Sequence, residues 1–117
     1  MTDREMLELA AKAAGVPAYW SVDGTLQNRP MFVVQAGGGM GTMPYEAAWN
    51  PLRDDGLALR LAVRLRLLIS LHERFEVHVV WWRNGERGEI RETDKDSYVA
   101  TRRAIVRAAA EIGRQHD

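Results

Sequence analysis

The dipeptide Asn84-Gly85 constrains the fold of this chain more than any other feature of its sequence. It separates two runs of strand-forming residues, 75–83 and 86–92, and an Asn-Gly pair readily supplies the two positive φ angles of a type I′ turn. A two-residue turn also determines which residues lie opposite each other across the hairpin. The sequence therefore predicts an antiparallel hairpin in which Trp82 faces Arg87.

The predicted register divides the side chains of this hairpin between two faces, because side chains alternate along a strand. The first face is apolar, and we expect it to join the core: Phe75, Val77, Val79, Trp81 and Ile90. The second face is mostly polar, and we expect it to meet water: Glu76, His78, Val80, Trp82, Arg87, Glu89 and Arg91. A tryptophan on a water-facing surface needs an explanation.

Trp82, with Val80 on the same face, is the strongest candidate binding feature of the sequence. Three interpretations stay open. Trp82 forms a cation–π contact with Arg87, or it anchors a protein interface, where tryptophan and arginine are enriched, or the glycine-rich segment 36–42 covers it. The second interpretation makes Val80, Trp82 and Arg87 a protein-interaction site for a partner protein or for a second copy of the chain.

A helix with a well-marked start follows the dipeptide Asn50-Pro51. Proline pushes the residue before it out of the helical region, and either Asp54 or Asp55 can accept hydrogen bonds from the free N–H groups of a first turn. An apolar stripe then recurs at helical spacing: Leu57, Ala58, Leu61, Ala62 and Leu65. We place the end of this helix at Arg66 and a strand at 67–72.

Both ends of the chain also carry helix signals. Residues 2–14 begin with a capping box of Thr2 and Glu5 and are followed by Gly15, a residue typical of a left-handed C-cap. The last helix spans about 97–113, with Asp94 or Asp96 as its cap. Its predicted buried stripe consists of Tyr98, Thr101, Ile105, Ala108, Ala109 and Ile112.

The remaining segments complete the predicted fold. Residues 18–22 and 31–35 read as an antiparallel pair of strands, 36–42 as a glycine-rich surface loop, and 44–49 as one helical turn. The element order is α-β-β-α-β-β-β-α. We therefore expect a single α+β domain over residues 1–117, with three helices and a mostly antiparallel sheet of about four to five strands.

Composition excludes several classes of protein. The 117 residues favour one domain, and the absence of cysteine excludes disulfides and thiolate metal sites. Sixteen basic and sixteen acidic residues cancel, so the chain as a whole has no electrostatic attraction to nucleic acid or to anionic membranes. We see neither a signal peptide nor a membrane span, and we expect a cytoplasmic protein without a membrane partner.

The candidate catalytic and ligand-binding residues all have simpler interpretations. The glycine-rich segment 36–42 lacks the Lys-Ser/Thr of a phosphate-binding loop and the spacing of a dinucleotide fingerprint. Asp54 and Asp55 are better explained as helix caps than as a catalytic pair. Three histidines are interpreted as ordinary surface or hydrogen-bonded residues: His72, His78 and His116. We therefore expect no catalytic residue, no metal, no cofactor and no enzymatic activity.

A stripe of arginines on the last helix supports an alternative function. Arg103, Arg107 and Arg114 lie nearly in line on the side opposite the predicted stripe of that helix. Such stripes are typical of surfaces that contact phosphates. Glu111 dilutes the positive charge, and no aromatic residue is placed for base stacking. Nucleic-acid binding through these three arginines is the alternative to a protein-interaction role.

Two motifs resemble those of a family of small uncharacterised proteins encoded by bacteriophages and prophages. They are W-N-P-L-x-D-D-G-x-A-L-R-L-A-V at 49–63 and A-T-R-R-A-I-V-R-A-A at 100–109, and ELAAKAAG at 8–15 also fits. The family usually has aspartate where this chain has Leu57. The resemblance implies a phage or prophage setting in a bacterial host and supplies no catalytic residue. The predicted function is that of a non-enzymatic accessory protein with an interaction or regulatory role.

Overall fold

The structure, a computed structural model, describes residues 1–21, 31–41, 43 and 45–115. The elements are α1 (Asp3–Ala14), β1 (Tyr19–Ser21), β2 (Met31–Ala36), β3 (Tyr45–Ala48), α2 (Asp55–Leu65), β4 (Leu68–Leu71), β5 (Glu76–Arg83), β6 (Glu86–Thr93) and α3 (Ser97–Arg114). The strands form two antiparallel sheets of three, β1-β2-β3 and β4-β5-β6, which we call the N-terminal and C-terminal sheets. The predicted α+β class is confirmed, with six described strands in two sheets instead of four or five in one.

The additional strand is β3, and the helical turn predicted at 44–49 is wrong. Residues Tyr45–Ala48 pair with β2, with Ala47 opposite Val34. Gly37, Gly38 and Gly41 have positive φ angles and reverse the chain between the two strands. A segment this short has a weak intrinsic preference, so pairing with β2 decides its conformation.

The antiparallel pairing of β1 with β2 is confirmed, with Trp20 opposite Phe32. The turn residues that the sequence places between these strands, at 23–24 and 28–30, lie outside the described residues, as does Thr42. The rings of Trp20 and Phe32 meet edge to face at 5.2 Å. The guanidinium of Arg4 lies 4.4 Å from the centre of the Trp20 ring, so α1 contacts the N-terminal sheet.

The predicted hairpin is confirmed in its register. Trp82 lies opposite Arg87, and Trp81 opposite Gly88. A Cβ atom at position 88 would overlap the Trp81 ring, so only glycine lets this indole lie flat on β6. Phe75 is a correction to the predicted core face, because it has a φ of 62° and precedes the strand, which leaves its side chain exposed.

The helix α3 is the central element of the fold, and its predicted single stripe is too narrow. It contacts α1, α2, β5 and β6, so it is buried on several sides. Its buried residues are mostly small: Ala100, Ala104, Ile105, Val106, Ala108, Ala109, Ala110, Ile112 and Gly113. A Cβ at Gly113 would overlap the backbone of Leu9, which shows how closely α1 approaches α3. Tyr98, expected in the stripe, is exposed because it lies in the first turn beyond these contacts.

The predicted ends of α1 are confirmed. The Thr2 hydroxyl accepts a hydrogen bond from the Glu5 N–H at 3.1 Å. Gly15 has the left-handed conformation of a C-cap, and its N–H donates to carbonyls in the last turn.

The start and end of α2 also follow the prediction. Asp54 is the N-cap and accepts from the Leu57 N–H at 2.9 Å. The helix ends at Leu65 because Arg66 adopts a left-handed conformation, and β4 begins at Leu68. The strand expected after this helix is thereby confirmed.

One buried cluster connects both sheets with the helices. Phe32 and Trp49, from the N-terminal half, belong to the same apolar cluster as Val79 and Trp81 of β5. Within the described ranges, no helix has the length and apolarity needed to cross a bilayer.

Candidate functional site

The outer face of the C-terminal sheet is the face turned away from α3, and it carries Trp82. The Trp82 side chain is exposed, as the register predicts. Val80 is only 8% exposed, because it lies on the middle strand between Leu68 of β4 and Glu89 of β6. Val80 is therefore largely inaccessible to a partner, and its predicted role as a contact residue is corrected.

Arg87 pairs with an acidic neighbour on its own strand. Its guanidinium lies 3.2 Å from the Glu89 carboxylate, which also accepts a hydrogen bond from Arg91 at 3.0 Å. These hydrogen bonds, first from Arg91 and then from Arg87, lower the pKa of Glu89. Among the described residues, the cation–π contact joins Arg4 to Trp20 of the N-terminal sheet and does not involve Trp82. The cation–π interpretation of Trp82 is not supported.

A small histidine cluster occupies the other end of the outer face. The rings of His72 and His78 lie 4.1 Å apart, and His78 Nε2 forms a hydrogen bond with Glu76. This hydrogen bond is the main cause of the lowered pKa of Glu76. In the part of the chain that the structure describes, no group of three acidic or histidine side chains could hold a metal ion. His116 lies outside the described residues.

The predicted arginine stripe is engaged in ion pairs. Arg103 and Arg107 both reach Glu92 of β6, at 3.3 Å for Arg103 Nε, and Arg114 pairs with Glu111 at 2.9 Å. These residues line a groove of about 480 Å³ between α1, α3 and β6. The Arg107 side chain is 39% exposed, because β6 flanks α3 on this side. Arg103 and Arg107 therefore face β6, whereas Arg114 is exposed and pairs within α3.

A feature that sequence analysis missed lies where α2, β4 and the start of α3 meet. Six apolar residues form this region, which we call the β4 surface: Leu59, Val63, Leu68, Ile69, Leu71 and Tyr98. Five of them, all except Ile69, are between 51% and 72% exposed. Leu59 and Ile69 line both of two adjoining grooves, of about 470 and 320 Å³, so the surface is continuous.

The strand β4 forms the open edge of the C-terminal sheet. Its one neighbour among the described strands is β5. The His72 N–H donates to the Glu76 carbonyl at 2.8 Å, and hydrogen-bonded pairs alternate along an antiparallel ladder. By this alternation, Ile69 and Leu71 direct their N–H and C=O groups away from β5. No described strand pairs with these outward groups, which lie beside exposed apolar side chains.

No family model, curated protein or solved structure matches this chain. The outer face offers the exposed Trp82 and Leu68 side chains beside paired charges, whereas the β4 surface joins exposed apolar side chains to a strand edge that no described strand covers. Of the two, the β4 surface has the composition and backbone geometry of a protein-binding site.

Proposed function

We propose that this chain is a non-enzymatic interaction module that acts as a homodimer formed through the β4 surface. The observation that carries the proposal is the uncharged outer edge of β4, which no described strand covers and which exposed apolar residues flank. The resemblance of its helical motifs to phage and prophage proteins supports an accessory or regulatory role in the cytoplasm of a bacterial host.

The backbone provides the first argument. An edge strand presents a row of N–H and C=O groups that can pair with another chain, and proteins usually prevent this with charges, proline or a covering element. Residues 67–71 contain neither a charge nor a proline. A strand added beside β4 would satisfy the outward groups of Ile69 and Leu71, as in recognition by strand addition.

Symmetry provides the argument for a second copy. A two-fold axis perpendicular to the sheet pairs β4 with itself in antiparallel orientation and keeps the helices of both copies on one side. With the axis at Ser70, Ile69 of each copy lies opposite Leu71 of the other, so both residues exchange hydrogen bonds with the partner. The exposed Leu59 and Val63 of the two α2 helices then approach each other.

The mass of the protein in solution tests this proposal. We expect light scattering to give twice the monomer mass for the wild type and the monomer mass for Leu71→Lys, because the variant adds a charge to the edge. Leu71 is 72% exposed, so the variant should fold normally. Trp82→Ala is the matched control on the outer face and should remain dimeric.

Other results would contradict the proposal in distinguishable ways. A wild-type monomer at all concentrations would exclude the homodimer. A dimer that is lost in Trp82→Ala and kept in Leu71→Lys would move the interface to the outer face. Circular dichroism of each variant verifies that a change of mass does not reflect unfolding.

The structure offers no observation in favour of the nucleic-acid alternative. Arg103, Arg107 and Arg114 each lie within ion-pair distance of a carboxylate. A phosphate would have to compete with Glu92 or Glu111 for these guanidinium groups. If the arginines nevertheless bind nucleic acid, retention on DNA or RNA should fall steeply with salt and disappear when the three charges are reversed.

A further inference from the structure

A second apolar depression lies on the other side of α2. It has a volume of about 320 Å³ and opens between the end of α1, the strand β2 and α2, and we call it the Trp49 groove. Its apolar wall includes Val16, Pro17, Val34, Trp49, Leu57 and Leu61. Leu57 and Leu61 are one helical turn apart and point away from Leu59 and Val63. The Trp49 groove is thus separate from the β4 surface.

Two arginines lie at the mouth of this groove. Arg60 and Arg64 are one turn of α2 apart, and both line the groove. The Arg64 guanidinium reaches toward the end of α1, where its Nη2 lies 3.5 Å from the position that a Cβ on Gly15 would occupy. Both side chains are exposed, so a ligand in the groove can reach their guanidinium groups.

These arginines differ from those on α3, which are paired with carboxylates. Within the described ranges, no carboxylate forms an ion pair with Arg60 or Arg64, and no acidic residue lines the Trp49 groove. The groove between α1 and α3 also contains arginines, but Glu92 and Glu111 neutralise them. Within the described ranges, the Trp49 groove combines an apolar wall with two arginines one helical turn apart and no acidic residue.

We propose that the Trp49 groove binds a small organic acid with a flat apolar body. The apolar part lies against the partly exposed Val16, Val34 and Leu57, and the carboxylate or phosphate group pairs with Arg60 and Arg64. Guanidinium groups bind such oxyanions with two parallel hydrogen bonds. Pockets for small molecules are typically apolar, with a few polar groups that orient the ligand. A ligand bound in this groove would lie at the junction of α1, β2 and α2.

A pair of probes that differ only in charge tests the proposal. Naphthalene-2-carboxylate supplies the flat body and the anion, and naphthalene-2-carboxamide supplies the same body without the charge. We expect the carboxylate to bind at least about tenfold more tightly in calorimetric titrations. In 1H–15N spectra it should shift the Trp49 indole N–H and the backbone signal of Val34, which places it in the groove.

Arginine variants determine whether the charge comes from the proposed residues. Arg60→Gln and Arg64→Gln should each weaken carboxylate binding by about tenfold and leave carboxamide binding unchanged. Arg53→Gln is the matched control, because Arg53 is exposed, has no ion pair among the described residues and does not line the groove. All three positions are exposed, so the variants should fold.

Several results would overturn the assignment. These are equal affinity for the two probes, no binding of the carboxylate at millimolar concentration, or carboxylate binding that survives both groove substitutions. Shifts confined to Leu59, Leu71 and Tyr98 would place the probe on the β4 surface and would also contradict it.

Discussion

The two edges of the C-terminal sheet differ in length and in charge. The strand β6 has eight residues, ERGEIRET, with charges of both signs, whereas β4 has four residues, LISL, with no charge. Charged side chains on an edge strand oppose the addition of another chain. One sheet therefore has a protected edge and an open edge, and the open edge coincides with the exposed apolar residues of α2 and α3.

The charges of β6 also have structural partners. Glu92 is 16% exposed and pairs with Arg103 and Arg107, which connects the edge strand to α3. Glu89 pairs with Arg87 and Arg91 on the same strand. The strand β4 has no equivalent pairs, because its residues are uncharged. The protected edge is thus integrated in the monomer, and the open edge has side chains suited to a partner.

The largest expected effect comes from removing one backbone donor at the open edge. Leu71→Pro deletes an N–H that points away from β5, so the β4–β5 ladder keeps its hydrogen bonds. Because the two-fold axis repeats the change, the dissociation constant of the dimer should rise about a hundredfold. Analytical ultracentrifugation over a concentration series measures this change.

The protected edge supplies the control for this proline. Thr93→Pro removes an outward N–H from the end of β6, and we expect no change in the dissociation constant. Equal weakening by both prolines would show that the two edges do not differ in function.

The next largest effect should come from removing the ion pairs that join β6 to α3. Glu92→Gln leaves two arginines without their carboxylate and should lower the free energy of unfolding by about 1–2 kcal/mol. The dimer should be unaffected. Glu86→Gln is the control, because Glu86 is exposed and has no ion pair among the described residues. Urea denaturation measures both variants, and an equal loss of stability would contradict this role of Glu92.

A smaller effect is expected on the apolar flank of the open edge. Leu59→Ser removes an exposed leucine from α2, which costs the monomer little because the side chain is 60% exposed. It should raise the dimer dissociation constant about tenfold, since the apolar area is lost twice. An unchanged constant would limit the interface to the strand itself and exclude α2 from it.

The smallest effect concerns pH. The pKa of Glu76 is lowered from 4.5 by its hydrogen bond with His78, so the ionised carboxylate stabilises the folded state above that pH. This stabilisation should be lost as the pH falls through the folded-state pKa. Between about pH 6 and about pH 3, the melting temperature of the wild type should fall more steeply with decreasing pH than that of Glu76→Gln. Equal pH dependence would show that the hydrogen bond contributes nothing.

The elements with strong local signals were predictable from the sequence. Asn84-Gly85 determines the hairpin register, and Thr2 caps α1 as predicted. The sequence offers two candidate aspartates for each of α2 and α3, and Asp54 and Asp96 are the caps. The strand β3 could not be predicted, because its conformation depends on pairing with β2. Local signals thus determine where elements begin and end, and tertiary pairing determines the short strands.

The candidate site was harder to predict than the fold. Trp82 was correctly placed on an exposed face, but its neighbour Val80 is covered by the strands on both sides. The β4 surface combines residues from three separate elements, so no single stretch of sequence reveals it. A partial signal exists in Leu59 and Val63, which lie one turn apart and off the buried stripe of α2.

Hydrogen exchange at the open edge tests the central claim most directly. In the wild type, we expect the Ile69 and Leu71 amides to exchange at least about a hundredfold more slowly than unprotected amides, because a second copy of β4 accepts their hydrogen bonds. In Leu71→Lys this protection should disappear, while the Ser70 amide, directed toward β5, stays protected. If the Ile69 and Leu71 amides exchange rapidly in the wild type while Ser70 is protected, β4 has no strand partner and the account is contradicted.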